Sequence, residues 1–292
     1  MNNNNELIKP IIFTDMDGTL YGSDFKVMKQ TKSDIEFALS INEENFISSD
    51  FNLCTGNPIT ERTINIANEL KAKYIIGSTG AQIYDVDNNK IVVQHCIDNE
   101  TTQEIIEFSL KNNIELNFFN EKVYYYAGYK NQEDLNYTLS YHFDTEEAKA
   151  KMVQKYTNQV IDNIVKIESW CDPKYFDILE DKLKTLNVSY VKSNCGFEIM
   201  ANNVNKGTGI QNVLQMFYPG HELENVFCAG DSNNDLSMFE ICGYSYAMAN
   251  SPSSVQTKAK YHTSSVEQNG LGEAIIDYLY RLNKTKKKYL LH

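Results

Sequence analysis

No run of apolar residues in this sequence approaches the roughly 18 that a membrane-spanning helix needs. The opening Met1-Asn2-Asn3-Asn4-Asn5-Glu6 has neither the basic nor the apolar part of a secretory signal. From these two absences we expect a soluble, cytoplasmic protein with no membrane partner. Positive charge is scarce too. Lys and Arg number 27 against 39 Asp and Glu, a formal net charge of -12, whereas a polyanion-binding surface relies on clustered Lys and Arg that release counterions. No nucleic-acid partner is expected. The one basic cluster, Lys284, Lys286, Lys287 and Lys288, lies near the C-terminus and reads as a frayed, solvated tail. Cys54, Cys96, Cys171, Cys195, Cys228 and Cys242 form no C-x-x-C pair, and no His stands at zinc-finger spacing. They read as buried reduced thiols. There is no internal repeat, and no low-complexity segment beyond the asparagine run.

What is present is enough chain for two domains or one large one, 292 residues with 42% hydrophobic content. Ile11-Ile12-Phe13-Thr14 is a short apolar and β-branched run, the pattern of a strand buried on both faces. Asp15-Met16-Asp17-Gly18-Thr19-Leu20 follows at once. Asp15 therefore stands at the carboxyl end of a strand, where open α/β sheets bind ligands, and Gly18 permits a tight turn around it. Two carboxylates this close repel unless they share a proton or a cation, so the stretch is either a pair with separated pKa values or a hard metal site. An EF-hand is excluded: counting from Asp15, Leu20 stands where Gly is needed and Lys26 where Glu is needed.

The chain then alternates. A helix is predicted over 31–41 with Thr31 as cap, then a strand over 51–54 ending in Thr55-Gly56-Asn57-Pro58. Asn57 as N-cap and Pro58 at the first helical position predict a second helix that carries Ile59, Thr63, Ile66, Ala67 and Leu70 on one face. Thr55 and Gly56 would then lie just before a helix N-terminus, either a plain cap turn or a place to hold an anion. A third strand over 74–76 continues the pattern of a doubly wound parallel sheet. From about Gly80 the pattern changes. Segments 81–84 and 90–93 flank Asp85-Val86-Asp87-Asn88-Asn89, read as a hairpin turn. Beyond it come a helix over 102–111, strands over 115–119 and 123–126, a polar helix over 145–159, and the run Val165-Lys166-Ile167-Glu168. A helix over 173–186 and strands over 189–191 and 197–200 complete the segment. Residues 85–202 are thus expected to form an inserted α+β domain. Its tyrosines, among them Tyr124, Tyr125, Tyr126, Tyr129, Tyr137 and Tyr141, read as sheet aromatics rather than a substrate pocket.

The α/β alternation resumes after Asn205. Lys206 stands at or just before a helix start, against the helix dipole, a position that an anionic ligand or carboxylate would stabilise. Asn225-Val226-Phe227-Cys228-Ala229 is a further buried strand, and Gly230-Asp231-Ser232-Asn233-Asn234-Asp235 follows it. The EF-hand count fails here also, at Leu236 and Cys242. In a parallel sheet these strand ends open on one edge, so Asp15, Asp17, Thr55, Gly56, Lys206, Asp231, Asn234 and Asp235 converge. From the residues alone this is a divalent-cation and phosphate site.

The sequence resembles the haloacid dehalogenase superfamily, specifically its Cof-type, subclass IIB phosphatases, nearly from end to end. Asp15-Met16-Asp17-Gly18-Thr19-Leu20 is similar to the family's first motif, Thr55-Gly56 to the second, Lys206-Gly207 to the third, and Gly230-Asp231-Ser232-Asn233-Asn234-Asp235 to the fourth. Gly80-Ala81-Gln82-Ile83-Tyr84-Asp85 and Ala247-Met248-Ala249-Asn250 also resemble family segments. Asn57 departs, standing where these phosphatases commonly carry Arg. The resemblance implies a Rossmann-like doubly wound core, 1–84 with 203–292, and a C2B-type cap, 85–202. It implies an aspartyl-phosphate on Asp15 and acid–base work by Asp17. Mg²⁺ would be held by Asp15, the Asp17 carbonyl and Asp231, and the phosphoryl group by Thr55, Gly56, Lys206 and Asn234. Asp235 would pair with Lys206 or position Asp231. The substrate implied is a small phosphorylated metabolite, a sugar phosphate as first guess. A sugar phosphomutase using the same intermediate and a non-catalytic phospholigand-binding regulator are the alternatives. Both catalytic aspartates are present, which argues against the regulator.

Overall fold

The computed structural model describes residues 9–41 and 48–289, with side chains as far as Lys284. The asparagine run lies outside the described residues. The chain folds around two sheets. In the first part come β1 (Ile11–Thr14), α1 (Lys29–Ser40), β2 (Asp50–Cys54), α2 (Glu61–Glu69), β3 (Tyr74–Gly77), β4 (Gln82–Asp85) and β5 (Lys90–Gln94). The middle holds α3 (Asn99–Lys111), β6 (Glu115–Phe119), β7 (Tyr124–Ala127), α4 (Gln132–Ser140), α5 (Glu146–Met152), β8 (Val153–Lys155), β9 (Lys166–Trp170), α6 (Phe176–Leu183), β10 (Val188–Lys192) and β11 (Gly196–Ala201). The last part has α7 (Lys206–Phe217), β12 (Val226–Gly230), α8 (Leu236–Ile241), β13 (Tyr244–Ala247), α9 (Ser253–Gln256), β14 (Tyr261–His262) and α10 (Gly270–Tyr289).

The first sheet has the order β14-β13-β12-β1-β2-β3-β4-β5. Its pairs from β14 to β3 are parallel, and β4 and β5 add an antiparallel edge. β1 lies inside this sheet, with Ile11, Ile12 and Phe13 fully buried. Ile12 joins a core with α1, α2 and α10, whereas Ile11 and Phe13 join one with α7 and α8. Burying each of these side chains is worth about 1.5–3 kcal/mol, so the strand carrying Asp15 is held from both faces.

The second sheet, β10-β11-β9-β6-β7-β8, is antiparallel except for the β7–β8 pair. Leu116, Phe118, Ile167, Phe197 and Ile199 face α3 and α6. The alternate residues, Asn117, Lys166, Glu168 and Glu198, fall on the opposite face. That face rests on the first sheet's carboxyl edge, since Lys166 Nζ donates to Gly56 O at 2.8 Å and Asn234 Nδ2 to Glu198 Oε1 at 3.1 Å. On another side of the contact, Arg62 of α2 pairs with Asp144 at 2.8 Å and donates to Tyr141 O at 2.8 Å. Its guanidinium also lies 3.9 Å from the Phe25 ring centroid.

Several local expectations change. α2 starts at Glu61 after Thr60, so Asn57 is not its N-cap and Gly56 does not adjoin a helix N-terminus. The Asn57 side chain is committed elsewhere, to Asp17. Thr31 lies inside α1 and donates to Asn269 Oδ1 at 2.7 Å instead of capping. The polar segment over 145–159 is helical only as α5 and then pairs with β7 as β8. α4, capped by Asn131 and buried through Leu135 and Leu139, is an unexpected helix. Residues 90–94, placed by sequence in the inserted segment, pair with β4 on the first sheet. Tyr124 and Tyr125 are buried, whereas Tyr137 is exposed. The backbone of the C-terminal lysine cluster continues α10, and the side chains of Lys286, Lys287 and Lys288 lie outside the described residues.

Candidate active site

The carboxyl ends of β1, β2 and β12 and the start of α7 meet at one place. Lys206 opens α7 behind an Asn205 capping box, and its fully buried ammonium lies 2.6 Å from Asp15 Oδ1 and 2.6 Å from Asp235 Oδ1. Asp235 Oδ2 accepts the backbone N–H groups of Asp231 and Ser232, each at 2.9 Å, and so shapes the turn after β12. Both Asp235 oxygens are therefore occupied. Gly18 turns the chain beside Asp231 at φ +77, and a Cβ there would stand 2.4 Å from Asp231 Oδ2. A side chain there would be strained by the positive φ and would push the Asp231 carboxylate aside. Asn250 links the same turn, donating to Gly18 O at 2.8 Å.

Thr55 is fully buried, and its Oγ1 accepts the Asn57 N–H at 3.0 Å, which leaves the hydroxyl proton to donate. The Asn57 amide donates to Asp17 Oδ2 at 2.6 Å. The residue that departs from the family pattern thus orients a catalytic-candidate carboxylate. Asn234 Oδ1 accepts from Ser232 Oγ at 2.9 Å. Every site residue expected from sequence lies in this cluster.

Negative charge is crowded here. Burial pushes Asp15 well above the usual carboxylate range; Lys206 opposes the shift, and Asp235, Asp231 and Asp17 add to it. Burial also lifts Asp231, helped by Asp235, up to about 7. Asp17 is raised by burial, and the Asn57 hydrogen bond works the other way. Burial would strip the Lys206 proton, but Asp15 and Asp235 outweigh it and hold the ammonium charged.

Residues 12–275 match the haloacid dehalogenase-like hydrolase family. The chain belongs to that family. It is similar to the candidate phosphatase YxeH of Bacillus subtilis (strain 168), 25% identical over 283 residues, which cover 91% of this chain and 96% of that protein. Among solved structures, the haloacid dehalogenase subclass IIB sugar phosphatase BT4131 gives a TM-score of 0.76 at 17% identity, over 92% of this chain and 99% of that one. A haloacid dehalogenase-like hydrolase from Bacteroides thetaiotaomicron gives 0.74 at 20% identity, over 92% and 99%. At these identities the likeness is one of fold, a mainly parallel core sheet with a second inserted sheet.

Haloacid dehalogenase-like hydrolases typically use Mg²⁺, and the donor set here suits a hard divalent cation. Asp15, Asp231 and Asp235 each offer an oxygen within 4.8 Å of the others, all are carboxylates, and two of them are raised, by burial first and by neighbouring carboxylates besides, a repulsion that a cation would relieve. Asp235 is held tightly on both oxygens, by Lys206 at 2.6 Å and by two backbone N–H groups at 2.9 Å. Asp231 is held more loosely, by Thr19 at 3.4 Å and Asn250 at 3.5 Å, and Asp15 is engaged through Oδ1, so Asp15 and Asp231 are the freer carboxylates to ligate.

The second sheet adds residues that sequence reasoning passed over. Lys166, 1% exposed, sits 2.9 Å from Glu168 Oε1 and 2.9 Å from Glu198 Oε2. Glu168 Oε2 lies 3.3 Å from His142 Nε2 and accepts from Tyr124 Oη at 3.3 Å. Burial alone would raise Glu168, but Lys166 and His142 overwhelm it and hold the carboxyl well below its usual range. Glu198 is lowered too, burial being outweighed by Lys166 and Thr79. A depressed carboxyl contributes stability that is present above its unfolded value near 4.5 and is lost as pH falls toward its folded one. Thermal melts should therefore show stability falling below about pH 4.5, and Glu168→Gln should flatten that limb. An unchanged limb in the variant would mean that the pair carries no such load. The only sequence signal was alternation, Lys166-Ile167-Glu168 and Phe197-Glu198-Ile199, which a solvated sheet face also shows.

Proposed function

We propose that this protein is a Mg²⁺-dependent phosphatase acting on a small phosphorylated metabolite, a sugar phosphate in the first instance. The observation that supports this most is the pairing of Asp15 with Lys206 at the end of β1, with Asp17 two residues on and Asp231 across the turn. Asp15 Oδ2 attacks phosphorus while Lys206 holds Oδ1. The bond from phosphorus to the ester oxygen breaks, and Asp17 delivers a proton to that oxygen as the alcohol leaves. Asp17 then takes a proton from water as the water oxygen attacks phosphorus. The bond to Asp15 breaks, and inorganic phosphate is released. Thr55, Gly56, Lys206 and Asn234 hold the transferred group, and Asp235 fixes Lys206 and the Asp231 turn. Asp15, the Asp17 carbonyl and Asp231 would hold Mg²⁺, which when bound neutralises charge on the phosphoryl oxygens. The inserted segment acts as the cap, and Asn57 keeps Asp17 directed.

Release of phosphate from a panel of sugar, nucleotide and cofactor phosphates, with and without Mg²⁺, tests the reading. Release that requires Mg²⁺ and stops with a chelator is expected. Silence across the panel, or isomerised product without free phosphate, would contradict it.

A further inference from the structure

Glu198 belongs to the inserted sheet, yet its carboxylate is tied to the phosphoryl-binding candidates of the core. Oε1 accepts from Asn234 Nδ2 at 3.1 Å, and Oε2 accepts from Thr79 Oγ1 at 2.5 Å and from Lys166 Nζ at 2.9 Å. Lys166 has three donors, and Gly56 O, Glu168 and Glu198 take all three. It is thus a bracket between the sheets, not a free cation for a ligand. A Cβ on Gly56 would meet Asn234 Nδ2 at 3.2 Å and Glu198 Oε2 at 3.4 Å, so the three groups converge within contact distance.

Thr79 supplies a second, independent sign. It stands at φ 55, ψ 34, a left-handed conformation that β-branched residues rarely adopt, beside Ser78 at φ 52. Such strain persists only where surrounding contacts over-determine it. Here the Thr79 N–H donates to Thr55 O at 3.1 Å while its hydroxyl reaches Glu198. Thr55, Gly56 and Asn234 are each held by this one cluster. The Asn234 amide is fixed at both ends, with Oδ1 on Ser232 and one Nδ2 hydrogen on Glu198. The second Nδ2 hydrogen is left in a set direction.

Resting on the phosphatase reading above, we propose that Glu198, braced by Lys166 and Thr79, is a positioning residue for the phosphoryl pocket. The donors on Thr55, Gly56 and Asn234 reach their working geometry only when the inserted sheet sits on the core. Glu198 acts on the transferred group through Asn234 and does not touch the leaving group. Its loss therefore weakens every substrate alike.

Wild type, Glu198→Ala and Thr79→Val are compared with Mg²⁺ present, on p-nitrophenyl phosphate and on the best metabolite from the panel. Inorganic phosphate binding is measured by calorimetry alongside. Both variants should lose kcat/KM by a similar factor on the two substrates, roughly tenfold or more, with phosphate affinity falling in parallel. A loss confined to the metabolite would overturn the proposal and make Glu198 a leaving-group contact. Unchanged turnover and phosphate affinity would overturn it as well, leaving a structural role. If Glu198→Ala does not fold, Thr79→Val decides, because it removes one hydroxyl at constant shape. If wild type turns over neither substrate, the phosphatase reading fails by itself. Phosphate affinity then decides the positioning role: a fall in the variants supports it, and equal or absent binding overturns it.

Discussion

Asp15→Asn should abolish phosphate release, by roughly a thousandfold or more, without unfolding the protein. The amide keeps an oxygen for Lys206, so the contact at 2.6 Å survives in kind. What is lost is the anionic oxygen that, in the proposed mechanism, forms the bond to phosphorus. Asp15 is buried among Asp235, Asp231 and Asp17 and is raised well above the usual carboxylate range, so removing its charge relieves repulsion. The melting temperature should stay level or rise. Activity lost at constant or higher stability is the mark of a catalytic role rather than a structural one. A variant that keeps even a tenth of the activity would remove Asp15 from that role, and a variant that melts much earlier would make the residue structural.

Lys206→Met does the opposite. The ammonium is completely buried between Asp15 and Asp235, and its removal leaves carboxylates with no counter-charge in a dry setting. Breaking a buried pair from one side costs about 3–5 kcal/mol, which at this size corresponds to a fall of roughly 6 °C or more in melting temperature. Phosphate release should fall too, since the cation proposed to hold the phosphoryl group is gone. Acid should narrow the stability gap, because protonated Asp15 and Asp231 no longer need neutralising; burial pushes the Asp231 carboxyl up to about 7. Melting curves at neutral and acid pH check this. Equal stability of variant and wild type at neutral pH would show that the lysine is not what holds the aspartates together.

The core of the fold was legible because burial on two faces leaves a plain mark. Ile11-Ile12-Phe13-Thr14 and Val226-Phe227-Cys228-Ala229 are apolar on successive residues, and each hands over to a carboxylate at its end. Lys206 at a helix start was legible for a similar reason, as a charge placed against a dipole and needing a partner, and Asp15 and Asp235 are there. Asn57 was misread because a good N-cap residue followed by Pro satisfies local rules, while its actual partner, Asp17, is 40 residues away. β5 was misplaced because the hairpin looks the same whichever sheet receives its second strand. The Lys166, Glu168 and Glu198 cluster was invisible for a deeper reason. Alternating charges mark one face of a strand, and only the docking of the two sheets turns that face from solvent to site.

Asp17→Asn with p-nitrophenyl phosphate and Mg²⁺ tests the central claim, attack by Asp15, most directly. The p-nitrophenolate leaving group departs without a proton, so the first step proceeds, while the base for the second step is missing. The account predicts a burst of about one p-nitrophenolate per protein, with phosphate left on Asp15, stable to acid quench and removed by hydroxylamine. Steady turnover with no burst and no phosphate on Asp15 would contradict it.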